Sequence, residues 1–260
     1  MPITRQAAVC FKKLALGAPA ACRRVPGQQS ASEPARCRRS QWKGWQQSRR
    51  AGTNQTYQTN HMSLPPKNKL IVEVHPLTPR RWPDFEKLFG KNGACAGCWC
   101  MWWRLPAAQW RAQKGEGNRD AMRKLVKDGA RPGLLAYVAG EAVGWCAVSP
   151  RQHCARFAAS RVLKPVDEQP VWSVTCFFVA RAFRRRGVTR QLLEAAAAFA
   201  SAEGADILEG YPIEPQHDQP DVFVYTGLAS TFRKTGFKEI ARRSPSRPIF
   251  RRRLQPSRRA

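Results

Sequence analysis

Acidic side chains are scarce in this 260-residue chain: 18 Asp and Glu stand against 45 Lys and Arg, a formal charge of +27. The scarcity is uneven. Residues 1–61 hold 11 Lys/Arg and one acid, Glu33, while residues 242–260 hold eight Arg and no acid. These 80 residues carry two thirds of the excess. Basic ends attract any polyanion without specificity. The net charge therefore does not make the whole chain a nucleic-acid binder, and non-specific nucleic-acid contact is an expectation for the ends alone. A long apolar run is lacking too. The longest apolar helical stretch, around residues 195–200, is short and flanked by charges, which excludes a helical membrane span. The nine cysteines are odd in number and their spacing shows no disulfide framework, which points to a reducing cytoplasm. Cys146, Cys154 and Cys176 sit in apolar contexts, where a thiol acts as a small hydrophobe. No Gly-Lys-Ser/Thr phosphate loop occurs, so a P-loop nucleotide site is excluded.

What is present falls into three parts. Residues 1–61 are rich in Arg, Gln, Ser and Ala and show no sustained period of 2 or 3.6, the composition of a basic extension outside the fold. Three readings fit this disordered basic extension: an organellar transit peptide, a feeble signal sequence, or an over-extended start with Met62 as the alternative. Residues 251–260 read as a basic tail. Between them the expected order is a strand near 70–77, a helix from Thr78 to Gly90 and a Gly/Cys/Trp loop. A helix capped by Asn118, then a hairpin turning at Ala139-Gly140-Glu141, come next. A strand at 171–179, a helix to about 202, a strand after Gly204, a short helix before Gly236 and two terminal strands complete it. That order makes an α+β domain with a mixed sheet.

The most informative stretch is 171–200, VWSVTCFFVARAFRRRGVTRQLLEAAAAFA. An apolar strand ends in an Arg- and Gly-bearing turn and passes at once into a helix. The first helical N–H groups have no intrahelical partner and sit at the positive end of the macrodipole. Arg184, Arg185 and Arg186 add guanidinium forks suited to phosphate oxygens. Gly187 permits positive φ and close approach. The stretch is thus built to bind a phosphate-bearing cofactor.

At these residues the chain resembles the GNAT superfamily of N-acetyltransferases, whose coenzyme A fingerprint is Arg/Gln-x-x-Gly-x-Gly/Ala between a central strand and a helix. Here it reads Arg184-Arg185-Arg186-Gly187-Val188-Thr189, with Thr189 in place of the small residue. The later Phe232-to-Phe237 run and the element order agree, over about residues 70–250. The resemblance implies a mixed, mostly antiparallel sheet with splayed central strands flanked by helices, filling residues 62–250. It implies acetyl-CoA as co-substrate and no metal. The pyrophosphate would lie on Arg184, Arg185, Arg186, Gly187, Val188, Thr189 and Arg190. The pantetheine arm would pair with backbone groups of Phe177, Phe178 and Val179, with a strand kink near Phe178–Val179. The acceptor would be a primary amine, on a small molecule or a protein, attacking directly in a ternary complex.

Many relatives carry a tyrosine that protonates the leaving thiolate where this chain has Phe232. Ser230, Tyr225 and Thr226 are substitutes near in sequence. Glu209, Glu214, His217 and Asp221 are base candidates. Cys176 offers an acyl-cysteine alternative, although a strand cysteine beside Phe177 reads as core. Cys95, Cys98 and Cys100 form a CxxCxC run that lacks a fourth local ligand for zinc. Interleaved with Trp99, Trp102 and Trp103, it reads instead as an aromatic wall on the substrate side. Beside the N-acetyltransferase reading stand a non-catalytic acyl-CoA-binding module, kept alive by Phe232, and a basic nucleic-acid-associated protein.

Overall fold

A computed structural model describes residues 70–217 and 221–255. The expectations for residues 1–61 and for a start at Met62 lie outside the described residues. A seven-stranded sheet organises the domain, in the order β1-β2-β3-β4-β5-β7-β6. Its strands are β1 (Glu73–Pro76), β2 (Gly133–Val138), β3 (Glu141–Pro150), β4 (Trp172–Val179), β5 (Ile207–Gly210), β6 (Lys238–Arg242) and β7 (Pro248–Arg253). β4 and β5 are parallel, and every other neighbouring pair is antiparallel. The mixed, mostly antiparallel sheet expected from the sequence is what forms. Arg251, Arg252 and Arg253, counted with the basic tail in the sequence, are strand residues paired with β5.

Helices cover both faces. α1 (Trp82–Phe89) buries Trp82, Phe85 and Phe89, and Phe85 meets Trp145 edge-on at 4.8 Å. α2 (Ala107–Ala112) and α3 (Glu116–Lys127) follow the Trp-rich loop. On the other face lies α4 (Val188–Ala202), whose Val188, Leu192, Leu193, Ala196 and Ala200 form one buried stripe. Each large side chain in such a stripe contributes about 1.5–3 kcal/mol of transfer free energy. α5 (Ala229–Lys234) closes the far end. No helix among the described residues is long and apolar enough to cross a membrane.

Asn118 is not the cap of its helix. Gly115, at φ 90°, stands at the N-cap of α3, and Asn118 lies one turn inside, fully buried. Its Nδ2 donates to the Gly97 carbonyl at 2.9 Å, tying the Trp-rich loop to α3. Thr78 likewise makes no side-chain cap.

The irregularity in β4 falls earlier than Phe178–Val179. Ala147 pairs with Cys176 and Val148 with Val174, so Thr175 is an extra residue on β4. The bulge reverses the strand's alternation. Trp172 and Val174 pack toward α4, and so do Phe177 and Val179, whereas Cys176 and Phe178 face the α1 side.

Candidate active site

Two features make the site: where β4 leaves β5, and how β4 enters α4. β5 pairs with β4 only at Trp172, Ser173 and Val174. Beyond the bulge the strands part and a slot opens. The turn above it has unusual backbone. Arg185 takes φ 59° and Gly187 φ 83°, both left-handed. A Cβ on Gly187 would meet nothing within 4 Å, so its need is for conformation, and the space above it is open. Gln191 makes the first intrahelical bond, to the Gly187 carbonyl at 3.2 Å. The N–H groups of Val188, Thr189 and Arg190 therefore lack an i−4 partner and sit at the dipole's positive end.

A cavity of about 660 Å³ lies against this turn. Its lining includes the cofactor residues expected from the sequence, Phe177, Phe178, Val179, Arg184, Arg185, Gly187, Val188, Thr189 and Arg190, but not Arg186. Arg186 instead lies 6.0 Å from the Phe183 ring centroid. Arg190 pairs with Glu194 at 3.0 Å in the exposed i,i+4 geometry that contributes only about 0.3–0.5 kcal/mol. Ala94, Cys95, His217, Tyr225 and Thr231 line the opposite wall. A larger groove of about 820 Å³ lies between α4, β6 and β7, away from this turn.

One expected slot hydrogen bond is taken by the chain itself. The Phe177 N–H donates to the Tyr225 carbonyl at 2.5 Å. Strand alternation turns the Val179 N–H to the same edge as that of Phe177. The Val179 carbonyl accepts from Arg184 Nε at 3.0 Å.

The proton-transfer candidates separate sharply. Glu209 is fully buried. Its Oε1 accepts from Arg151 at 2.5 Å and from the Tyr211 hydroxyl at 2.6 Å, and its Oε2 accepts from Arg251 Nε at 2.6 Å. Both oxygens are engaged, and Glu209 is not among the residues that line the cavity. Glu214 is bound by Arg233 at 2.6 Å and by Arg242, and these arginines hold its carboxyl below the usual range. Ser230 is exposed on α5, and Thr231 faces the cavity in its place. The Asp221 side chain lies outside the described residues. Tyr225 and His217 remain on the cavity wall. Burial pushes Tyr225 up to about 12, against the pull of the adjacent Arg247. Phe232 is fully buried between Phe177, Phe237 and Phe250.

The thiols are not poised for acyl transfer. Cys176 shares a hydrogen bond with Cys100, which together with burial raises its pKa well above the ordinary value. It is therefore a thiol at neutral pH and a poor nucleophile. Cys100 accepts from the Trp145 indole N–H at 3.1 Å. Cys98 is pushed up to about 11 by burial and by Cys100. No group of three or more His, Cys, Asp or Glu in metal-holding arrangement occurs among the described residues. The tryptophans of this run divide in two, and none of them is among the residues that line the cavity. Trp99 stacks on Phe89 in the core, while Trp102 meets Trp110 edge-on at 4.8 Å. Trp110 carried no signal in the sequence, because its helix buries no residue and so shows no apolar stripe.

A parallel strand pair that parts past a bulge, with an arginine-bearing helix entry over the gap, defines an α+β domain with an open slot beneath a helix N-terminus. Residues 99–220 match the family model of the acetyltransferase (GNAT) family, and the chain carries a domain of that family. No curated protein matches the sequence. Among solved structures it is similar to a PaiA N-acetyltransferase from Thermoplasma acidophilum in complex with coenzyme A. That pair has 11% identity, covers 71% of this chain and 100% of the other, and gives a TM-score of 0.42. A GNAT-family acetyltransferase from Listeria monocytogenes gives 11% identity, 70% and 95% coverage and a TM-score of 0.45. An acetyltransferase from Thermus thermophilus gives 17%, 72%, 99% and 0.41.

Proposed function

We propose that this protein is an acetyl-CoA-dependent N-acetyltransferase that acts on a primary amine by direct attack in a ternary complex. The observation that carries it is the turn at residues 184–190, with its left-handed Gly187 and first-turn N–H groups that have no i−4 partner, beside a 660 Å³ cavity. The residues present fit the donor: N–H groups and guanidinium forks for the pyrophosphate, and a strand edge for the pantetheine arm. The slot leads the thioester toward Tyr225. Attack by the neutral amine expels a thiolate, which takes a proton from the Tyr225 hydroxyl, a group still protonated at neutral pH because its pKa lies near 12. In this reading His217, which also lines the cavity, takes the ammonium proton.

Acetyl-CoA at a hundred times its Kd adds about 2.7 kcal/mol of stability, which raises Tm by roughly 5–10 °C in a domain of this size. Gly187→Glu sets a carboxylate where the phosphates bind and abolishes the rise. Gly187→Ala controls for backbone strain and keeps part of it. Tyr225→Phe retains the shift and loses about a hundredfold in kcat. No shift at saturating acetyl-CoA sinks the donor assignment. The burial of Phe232 favours one other reading, a non-catalytic acyl-CoA binder. A thermal shift with no thiol release from any amine would establish that reading instead.

A further inference from the structure

Near Tyr225, which both Arg156 and Arg247 approach closely enough to affect electrostatically, is a cluster of hydrogen-bond donors with few acceptors. The Arg156 guanidinium lies 3.7 Å from the Trp102 ring centroid and 5.8 Å from that of Trp110. Its Nε donates to the Leu105 carbonyl at 3.1 Å. Among the described residues its Nη2 is buried with no hydrogen-bond partner, and so is the Trp103 indole N–H. The Trp110 indole N–H has only the Cys98 sulfur beside it. Trp103 stacks on Phe157, and its carbonyl accepts from the Arg156 N–H, so these groups form one cluster. Arg247, in the turn between β6 and β7, is half-buried. Its Nη1 donates to Thr226 Oγ1 at 3.1 Å, and its guanidinium lies against the Tyr225 hydroxyl. Tyr225 in turn lines the slot.

Buried donors normally find acceptors, and orphaned donors around a guanidinium call for a group rich in lone pairs. The local charge agrees. Burial, and after it the nearby Arg111, disfavours the charge of Arg156, a cost that a bound anion relieves. Carboxylates at the β5 end of the sheet do not supply the need. Glu209 is held by Arg151 and Arg251, and Glu214 by Arg233 and Arg242. A polyamine or a lysine-rich peptide would meet like charge here.

We propose, resting on the N-acetyltransferase reading, that the acceptor is a small amine bearing an oxyanion, a carboxylate or a phosphate. Arg156 and Arg247 receive that oxyanion, with Trp102 and Trp110 walling its carbon frame. The amine is thereby aimed at the slot beside Tyr225.

The test is thiol release from acetyl-CoA with matched acceptors: each amino acid beside its carboxamide, phosphoethanolamine beside ethanolamine, and spermidine and a lysine-rich peptide as cationic acceptors. The expected result is at least a tenfold higher kcat/KM for an oxyanion-bearing member than for its neutral twin. Which pair shows it tells carboxylate from phosphate. Arg156→Gln raises KM for that member about tenfold, shrinks its advantage over the twin and keeps the acetyl-CoA thermal shift, while Arg247→Gln, beside the Tyr225 hydroxyl, raises the same KM and also changes kcat for both twins. Arg156→Lys, which keeps charge and stem but loses the fork, falls between. An intact acetyl-CoA shift with equal use of the twins, or with preference for the cationic acceptors, overturns the acceptor class alone. Loss of that shift in the unaltered protein is failure of the donor reading. As a second readout, the same compounds are added with saturating coenzyme A. No further rise in Tm from any oxyanion-bearing compound, with none acetylated, also overturns the proposal.

Discussion

Glu209 sits on β5 between two arginines that reach it from far away in the chain, Arg151 58 residues before it and Arg251 42 residues after it. Arg251 continues to Asp167 at 2.6 and 2.9 Å, so one buried carboxylate joins the end of β3, the segment before β4 and β7. No local pattern announces such a junction, which is why Glu209 reads as a base candidate in sequence and as a staple in structure. Breaking a buried pair leaves the remaining charges uncompensated. Glu209→Gln is therefore expected to cost about 3–5 kcal/mol, read as a lower urea midpoint at unchanged slope. If Glu209 were the base, the substitution would instead abolish turnover at little cost in stability. The expected outcome is the reverse: a less stable protein whose folded fraction keeps its pH–rate profile. By contrast, the place of Arg184, Arg185, Gly187 and Thr189 on the turn against the cavity is legible in sequence, because helix entry needs only adjacent residues and the rules for it are local.

Elements were legible where their pattern was long. α4 carries a full apolar stripe over 15 residues, and the β2–β3 hairpin has its turn residues in place, with Ala139 at φ 49° and Gly140 at φ 78°. The short α2 buries nothing, so its sequence has no face to show. The β4 bulge was placed too late, because a one-residue slip in alternation among apolar residues is invisible until both faces of the sheet are known. A related constraint is hidden in two glycines. A Cβ on Gly210, at the end of β5, would stand 2.1 Å from Phe232 Cε1 and 2.8 Å from Cζ. The ring cannot retreat freely, since a Cβ on Gly227 at its other side would be 2.9 Å from Cε2. Phe232 is thus clamped between β5 and the start of α5, where it serves as a core wedge. Gly210→Ala is expected to overpack this wedge and lower stability by about 1–3 kcal/mol, seen as a reduced Tm. An unchanged Tm would mean that α5 slides easily, contrary to its packing. Pairing Gly210→Ala with Phe232→Leu, which shortens the wedge, is expected to recover part of the loss relative to the sum of the single changes.

Taken as a whole, the molecule uses its surplus arginines in two ways that composition alone does not separate. Arg184 and Arg185 line the slot, whereas Arg233, Arg242 and Arg251 hold the carboxylates of Asp167, Glu214 and Glu239. The C-terminal arginines thus divide, and removing residues 242–260 to probe nucleic-acid affinity would also remove β7, the strand between β5 and β6. The paired carboxylates set the acid limit of the fold. Asp167 is held down by its hydrogen bonds to Arg251, Glu214 by Arg233 and Arg242, and Glu239 by Arg242. A depressed folded pKa contributes stability that is present above the unfolded value, about 4, and is lost as pH falls through the folded values. The phenols set the alkaline limit with the opposite sign. Burial raises Tyr225 to about 12, and burial with the neighbouring Glu209 raises Tyr211 well above the ordinary phenol value. Their contribution is complete below the unfolded value of about 10 and is lost as pH rises through the folded ones. Urea midpoints measured across pH are thus expected to fall below about pH 4 and above about pH 10. Replacing Arg242 by Gln should soften the acid limb by removing a shared partner of Glu214 and Glu239, while leaving the alkaline limb in place. An acid limb of the same depth in Arg242→Gln would show that those two carboxylates do not depend on it.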